Sequence, residues 1–340
     1  MKKGNVLALI LTVLMAAALV ACNKNDSGRQ TDKNTLQSSS KESHTEKNSQ
    51  AVSEKESTSS AEKETESKTE AVTKEEQTTP PKTDDELPYY IKVNRAANCI
   101  TVYKKDDKGG YNIPIIAFAC SVGDYDPSNP NSEPTPLGVF NLSDKYEWGL
   151  MVDGSYGRYA YRICSDILFH SVPYLGNRVK YGLETDQYNK LGSPASLGCV
   201  RLCVRDAKWI FDNCPKGTVV EIYDDETNPG PLGKPESIKI PEDSPYAGWD
   251  PTEDDPDNPW NNYSAKINGA KDITVKKGST VNFFDGVTAT DKCGNDISEK
   301  IVLSGVYDID KAGKYELTYS VTDATGSSDE VKITMTVEEK

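Results

Sequence analysis

The sequence predicts a mainly β protein: a larger strand-rich domain with one short helix, then a smaller β-sandwich. Three observations predict it. From residue 88 onward, short runs rich in Val, Ile, Tyr and Thr recur between Gly, Asn, Asp and Pro clusters, the pattern of strands joined by turns. Only 206–213 carries apolar residues at helical spacing. Residues 224–264, rich in Pro, Asp and Glu, interrupt the strand pattern before it resumes at 265.

The elements follow in order. Tyr90–Asn94 and Cys99–Tyr103 flank an Ala-Ala-Asn turn and read as a hairpin. Ile113–Val122, Gly138–Leu142 and Tyr159–Ile163 read as strands. Ile167–Phe169 is a short apolar strand that ends at His170, and Thr218–Tyr223 closes the set. Asp206 is placed to begin the helix. Ala207, Ile210 and Phe211 give its apolar face, and Pro215-Lys216-Gly217 ends it. Residues 88–223 thus make one domain of ordinary size. In 224–264, Tyr246, Trp249 and Trp260 are aromatics that a free linker rarely carries, so part of this stretch is expected to pack on the domain before it. In 265–340, Ile273–Val275, Val281–Phe283, Tyr315–Val321 and Val331–Val337 alternate between turns, as in a small sandwich.

The N-terminus differs from all of this. Met1-Lys2-Lys3 precedes an apolar run from Val6 to Ala21 and then Cys22, a basic and then hydrophobic order that marks an export signal over 1–22. Leu19-Val20-Ala21-Cys22 resembles a bacterial lipobox, which predicts lipidation at Cys22 and a membrane anchor. No later segment is long and apolar enough to span a bilayer, so the mature chain is expected outside the cytoplasm. Residues 23–87 contain no aromatic. They cannot bury enough apolar surface to offset their ordering entropy, and as a flexible tether they reach roughly 45 Å r.m.s..

A formal charge of −14 with no basic cluster excludes a nucleic-acid-binding surface. The eight cysteines permit disulfides in an exported protein. Most, however, sit inside apolar strand-like runs, where a free cysteine behaves as a small hydrophobe, and mostly free thiols are expected. No zinc site is expected, because Cys199 and Cys203 have no matching pair downstream.

Chemistry concentrates at Cys199 in Ser196-Leu197-Gly198-Cys199-Val200-Arg201-Leu202. A thiol attacks as its thiolate and needs a base or a positive neighbour. The chain has two histidines, and His44 lies in the tether, so His170 is nearly forced as that base. Gly198 lets backbone N–H groups approach a bound carbonyl. The bland readings are a buried small thiol and a core histidine.

Thr135-Pro136-Leu137-Gly138-Val139-Phe140, Phe169-His170-Ser171 and Ser196-Leu197-Gly198-Cys199-Val200-Arg201 occur in that order. Together they resemble the L,D-transpeptidase catalytic domain family (YkuD-type), over about 135 residues. The resemblance implies the following roles. Cys199 is the nucleophile, His170 its base, and Ser171 helps orient the imidazole. The N–H groups of Gly198 and Cys199 form an oxyanion hole. Arg201 holds a carboxylate or braces its loop. Asp153–Tyr159 resembles the family's substrate-covering segment, which makes Tyr156 and Tyr159 candidate substrate contacts. The family's histidine two residues before the cysteine is Leu197 here, which leaves the partner for deacylation open. Gly286–Asp291, Ala312–Tyr315 and Val321–Gly326 resemble bacterial immunoglobulin-like modules.

The implied reaction is acyl transfer on peptidoglycan stem peptides at the cell wall, with a tetrapeptide donor, a diamino-acid acceptor, a 3→3 cross-link as product, and no metal or organic cofactor. L,D-carboxypeptidase hydrolysis at the same site is the alternative. A sortase-like enzyme is disfavoured by the lack of a Thr-Leu-x-Thr-Cys run, and a non-catalytic wall-binding lipoprotein by the intact His170 and Cys199.

Overall fold

The computed structural model describes residues 87–339. The lipidation expected at Cys22 and nearly all of the expected tether lie outside the described residues. Among the described residues no helix is long and apolar enough to cross a membrane.

Two sheets enclose the larger core. The first takes β1 (Tyr89–Asn94), β2 (Cys99–Lys104), β3 (Ile113–Ala119), β4 (Gly138–Asn141) and β9 (Val219–Tyr223) in the order β3-β2-β1-β9-β4. The hairpin pairs Asn94 with Cys99, and Asn98 in its turn has φ +52°, a left-handed position that asparagine tolerates. The second takes β5 (Lys145–Leu150), β6 (Tyr156–Cys164), β7 (Ile167–Ser171) and β8 (Val200–Leu202) in chain order. Ile91, Val93, Ile100 and Phe118 of the first sheet meet Tyr161, Phe169, Val200 and Leu202 of the second, together with Ala207 and Ile210 of α2 (Val204–Asn213). α1 (Thr185–Tyr188) is a single turn.

The helix α2 begins two residues before the expected Asp206. The reason is distant in sequence. Asp250 Oδ2 accepts the Val204 N–H at 2.7 Å, and Thr252 Oγ1 accepts the Arg205 N–H at 3.2 Å. These satisfy N–H groups that a helix cannot pair internally.

The segment before the C-terminal module packs into the same core through Ile238, Ile240 and Trp260. Trp260 Nε1 donates to Tyr246 O at 3.1 Å, and the two rings meet edge to face at 5.5 Å. The C-terminal module has a four-stranded sheet, β11 (Ile273–Lys276), β15 (Ser328–Glu338), β14 (Gly313–Thr322) and β13 (Val302–Gly305), and a two-stranded one, β10 (Lys266–Asn268) with β12 (Thr288–Thr290). Val281–Phe283, expected as a strand, forms none. The module contributes Cys293 to the larger core, and Arg205 Nη1 donates to Thr325 O at 3.0 Å.

Candidate active site

Strand pairing brings the candidate residues together. β7 and β8 run parallel with His170 opposite Arg201. Side chains alternate along a strand. Phe169, Val200 and Leu202 therefore enter the core, while His170 and Arg201 turn to the other face. The same alternation carries Leu197, Cys199 and Arg201 into one cavity of about 830 Å³. Its wall also includes Glu133, Trp148, Asp153, Tyr156, Asp166 and His170. Cys199 and His170 thus face a common space.

The imidazole is fixed. His170 is buried, and Nδ1 lies 2.6 Å from Ser171 O. A carbonyl can only accept, so Nδ1 carries the proton and Nε2 keeps a lone pair. Gly157 makes room for the ring: a Cβ there would lie 2.5 Å from His170 Nδ1 and 2.8 Å from Cγ. Burial pushes the His170 pKa down to about 3. The Arg201 charge acts in the same direction, against the Ser171 carbonyl and Asp153.

The Cys199 thiol donates to Asp166 O at 3.6 Å. Burial pushes its pKa up to about 11. An N–H from Leu168 and the Arg201 charge offset part of this, while Glu133 and Asp166 add to it. Both reacting groups are therefore neutral at rest.

The loop that carries Cys199 is held from several sides. Thr135 Oγ1 donates to Gly198 O at 2.6 Å and accepts the Gly123 N–H at 2.9 Å. Ser196 Oγ donates to Cys199 O at 2.5 Å. Gly198 has φ +135°, and a Cβ there would meet Glu133 Cγ at 2.8 Å, so both conformation and space require glycine.

Three expected roles change. The Gly198 N–H, expected in an oxyanion hole, donates to Ser196 Oγ at 3.1 Å. The Ser171 hydroxyl does not touch the imidazole; it accepts the Arg158 N–H at 2.9 Å and donates to Val172 O at 2.8 Å. The backbone carbonyl of Ser171 is the group that orients the ring. Tyr159, expected beside a substrate, is buried against Phe211 with ring centroids 5.5 Å apart. Alternation along β6 puts Tyr159 on the core face with Tyr161 and Ile163, opposite the cavity-lining Tyr156. Arg201 Nη1 donates to Gln187 Oε1 at 3.0 Å and Ala195 O at 2.9 Å, while its Nε is buried without a partner.

Sequence reasoning placed Thr135 in the Thr-Pro motif and Gly157 within the Asp153–Tyr159 segment without giving either a contact, and it did not single out Glu133, which carries no local signal. The seven described cysteines are all free, and no cluster of three or more metal-ligating side chains occurs among the described residues.

Two family models match the chain. The L,D-transpeptidase catalytic domain family (YkuD) matches residues 88–222, and the bacterial surface protein Ig-like domain family matches 265–337. "Putative L,D-transpeptidase YciB" of Bacillus subtilis (strain 168) is 35% identical over 92 residues, which is 26% of this chain and 46% of that protein. The chain therefore spans about half the length of that relative. Two of the similar solved structures illustrate the match. One is a fused Zn-dependent amidase/peptidase/peptidoglycan-binding domain-containing protein of Clostridium acetobutylicum ATCC 824 (26% identity, TM-score 0.29, 40% of this chain and 52% of that one). The other is L,D-transpeptidase 1 of Mycobacterium tuberculosis (20% identity, TM-score 0.28, 40% and 62%). Residues 88–222 belong to the L,D-transpeptidase catalytic domain family, and residues 265–337 to the bacterial surface Ig-like domains.

Proposed function

We propose that the protein is a peptidoglycan L,D-transpeptidase that forms 3→3 cross-links through a thioester on Cys199. The observation that carries this reading is the shared cavity of Cys199 and His170, with the imidazole tautomer set by Ser171 O. His170 Nε2 takes the thiol proton as sulfur attacks the carbonyl of the third stem residue. Because both groups start neutral, transfer accompanies attack and does not precede it. The imidazolium then protonates the departing amine, and terminal D-alanine leaves. A side-chain amine of a second stem resolves the thioester. The unpartnered Nε of Arg201 is a donor suited to a substrate carboxylate.

The cavity wall also carries Trp148 and Tyr156, apolar surfaces that suit the stem and exclude water. The export signal with Cys22, if lipidated, puts the enzyme on the outer face of the membrane. The immunoglobulin-like module then serves spacing or docking at the wall.

Incubation of the full chain with disaccharide-tetrapeptide, with products resolved by mass, tests this reading. The expected product is a dimer lacking one terminal D-alanine. A tripeptide without dimer would make the enzyme an L,D-carboxypeptidase. Unchanged substrate would overturn the reading.

A further inference from the structure

The cavity around the thiol holds both basic and acidic groups. Its wall carries His170 and Arg201 together with the carboxylates of Glu133 and Asp166. Asp166 has a cationic neighbour, Arg162 Nη1, at 3.5 Å. Among the described residues no lysine or arginine pairs with Glu133. Its position is nevertheless defined. The Glu133 N–H donates to Leu197 O at 3.1 Å, and its Cγ occupies the space that a Gly198 side chain would need. The backbone and Cγ of Glu133 are thus held against the Cys199 loop at Leu197 and Gly198, and its exposed carboxylate has no cationic partner among the described residues. At Leu197 the loop offers no imidazole, and burial leaves His170 a weak base.

We propose that Glu133 binds the incoming acceptor as a primary ammonium group and takes the proton that frees its lone pair. This rests on the transpeptidase reading and specifies its second half-reaction. An ammonium ion has no lone pair and cannot attack. Glu133 accepts one proton from R–NH₃⁺ and later passes it to solvent. The amine lone pair then forms the N–C bond at the thioester carbon. The C–S bond breaks as its electron pair returns to sulfur. His170 Nε2 relays a second proton from the attacking nitrogen to Sγ, which regenerates the thiol. The third proton stays on the new amide. Glu133 therefore draws a cationic amine to the thioester by charge, an attraction that neutral water does not share. The acylation half-reaction runs the other way. A negative charge beside Cys199 hinders loss of the thiol proton.

The test is a competition for one acyl-enzyme. Full-length protein receives disaccharide-tetrapeptide with two nucleophiles in excess at neutral pH: Nα-acetyl-lysine amide, which is cationic, and hydroxylamine, which is uncharged. Mass spectrometry reads the ratio of amide to hydroxamate product, a quantity independent of the acylation rate. Glu133→Gln is expected to lower that ratio at least tenfold. Glu133→Asp should recover part of the ratio. A ratio unchanged in Glu133→Gln, from an enzyme that still acylates, overturns the assignment of Glu133 alone. Failure of the native chain to acylate overturns the transpeptidase reading beneath it.

Discussion

The Nδ1–H of His170 is held by Ser171 O at 2.6 Å, and this contact decides which nitrogen can act as a base. Nε2 alone has a free lone pair. Burial keeps the ring neutral, with a pKa of about 3, while burial raises the Cys199 thiol to about 11. Both shifts act against a resting thiolate–imidazolium pair. The charged and titratable groups facing the pair are Arg201, Asp153, Glu133 and Asp166. Peptide-resolved alkylation of Cys199 by iodoacetamide should therefore keep rising with pH beyond 9. A plateau setting in near neutrality would mean that the thiolate exists before substrate arrives.

The same depressed histidine links stability to pH. Its folded pKa is about 3 against an ordinary 6.5, so its contribution is complete above 6.5 and is lost as pH falls toward 3. Within that window the unfolded chain binds a proton that the folded one does not. The difference in urea unfolding free energy between the native chain and His170→Gln should shrink on acidification, by at most about 1.4 kcal/mol per pH unit. A difference independent of pH between 6.5 and 4 would show that the ring is charged in the fold.

Gly157 is where steric tolerance ends. A Cβ would lie 2.5 Å from His170 Nδ1, closer than any relaxed contact. Gly157→Ala should displace the imidazole and lower the acylation rate by about the 10²–10⁴ that a positioned base supplies. Circular dichroism would check that the β fold remains. Native acylation in a folded Gly157→Ala chain would show that the ring has room to spare.

The segment between the domains reaches the site through a buried ion pair. Arg158, next to Gly157, pairs with Glu253, and both side chains are only 3% exposed. The guanidinium also lies 5.1 Å from the centroid of the cavity-lining Trp148 ring. Glu253→Gln leaves a buried charge without its counterion and should cost about 3–5 kcal/mol of stability. Replacing both partners by apolar residues, Arg158→Met with Glu253→Leu, should restore most of it. Denaturant midpoints of the three chains provide the check; a near-neutral Glu253→Gln would contradict the geometry.

The legible parts of this protein are those written locally. The alternating runs at 89–94, 99–104 and 219–223 show in composition alone, and the scarcity of histidine singles out His170. What was not legible depends on distant partners. β8 is only three residues long and exists because Phe169–Ser171 offers it a parallel edge. The start of α2 at Val204 depends on Asp250, 46 positions away. Tyr159, three residues after Tyr156, faces the core by the alternation of β6 itself, so its burial was legible and only the resemblance of the segment put it beside a substrate. Gly157 and Glu133 matter through contacts with His170 and Gly198 that only the folded chain makes.

The central claim is that Cys199, served by His170, carries the acyl group. Intact-mass measurement of the full chain after brief exposure to disaccharide-tetrapeptide tests it most directly. The account predicts one covalent adduct, equal in mass to the donor less D-alanine, mapped by peptide analysis to Cys199. It should be absent from Cys199→Ala and slowed by orders of magnitude in His170→Gln. An adduct that persists in Cys199→Ala, or that maps to Cys164, would contradict it.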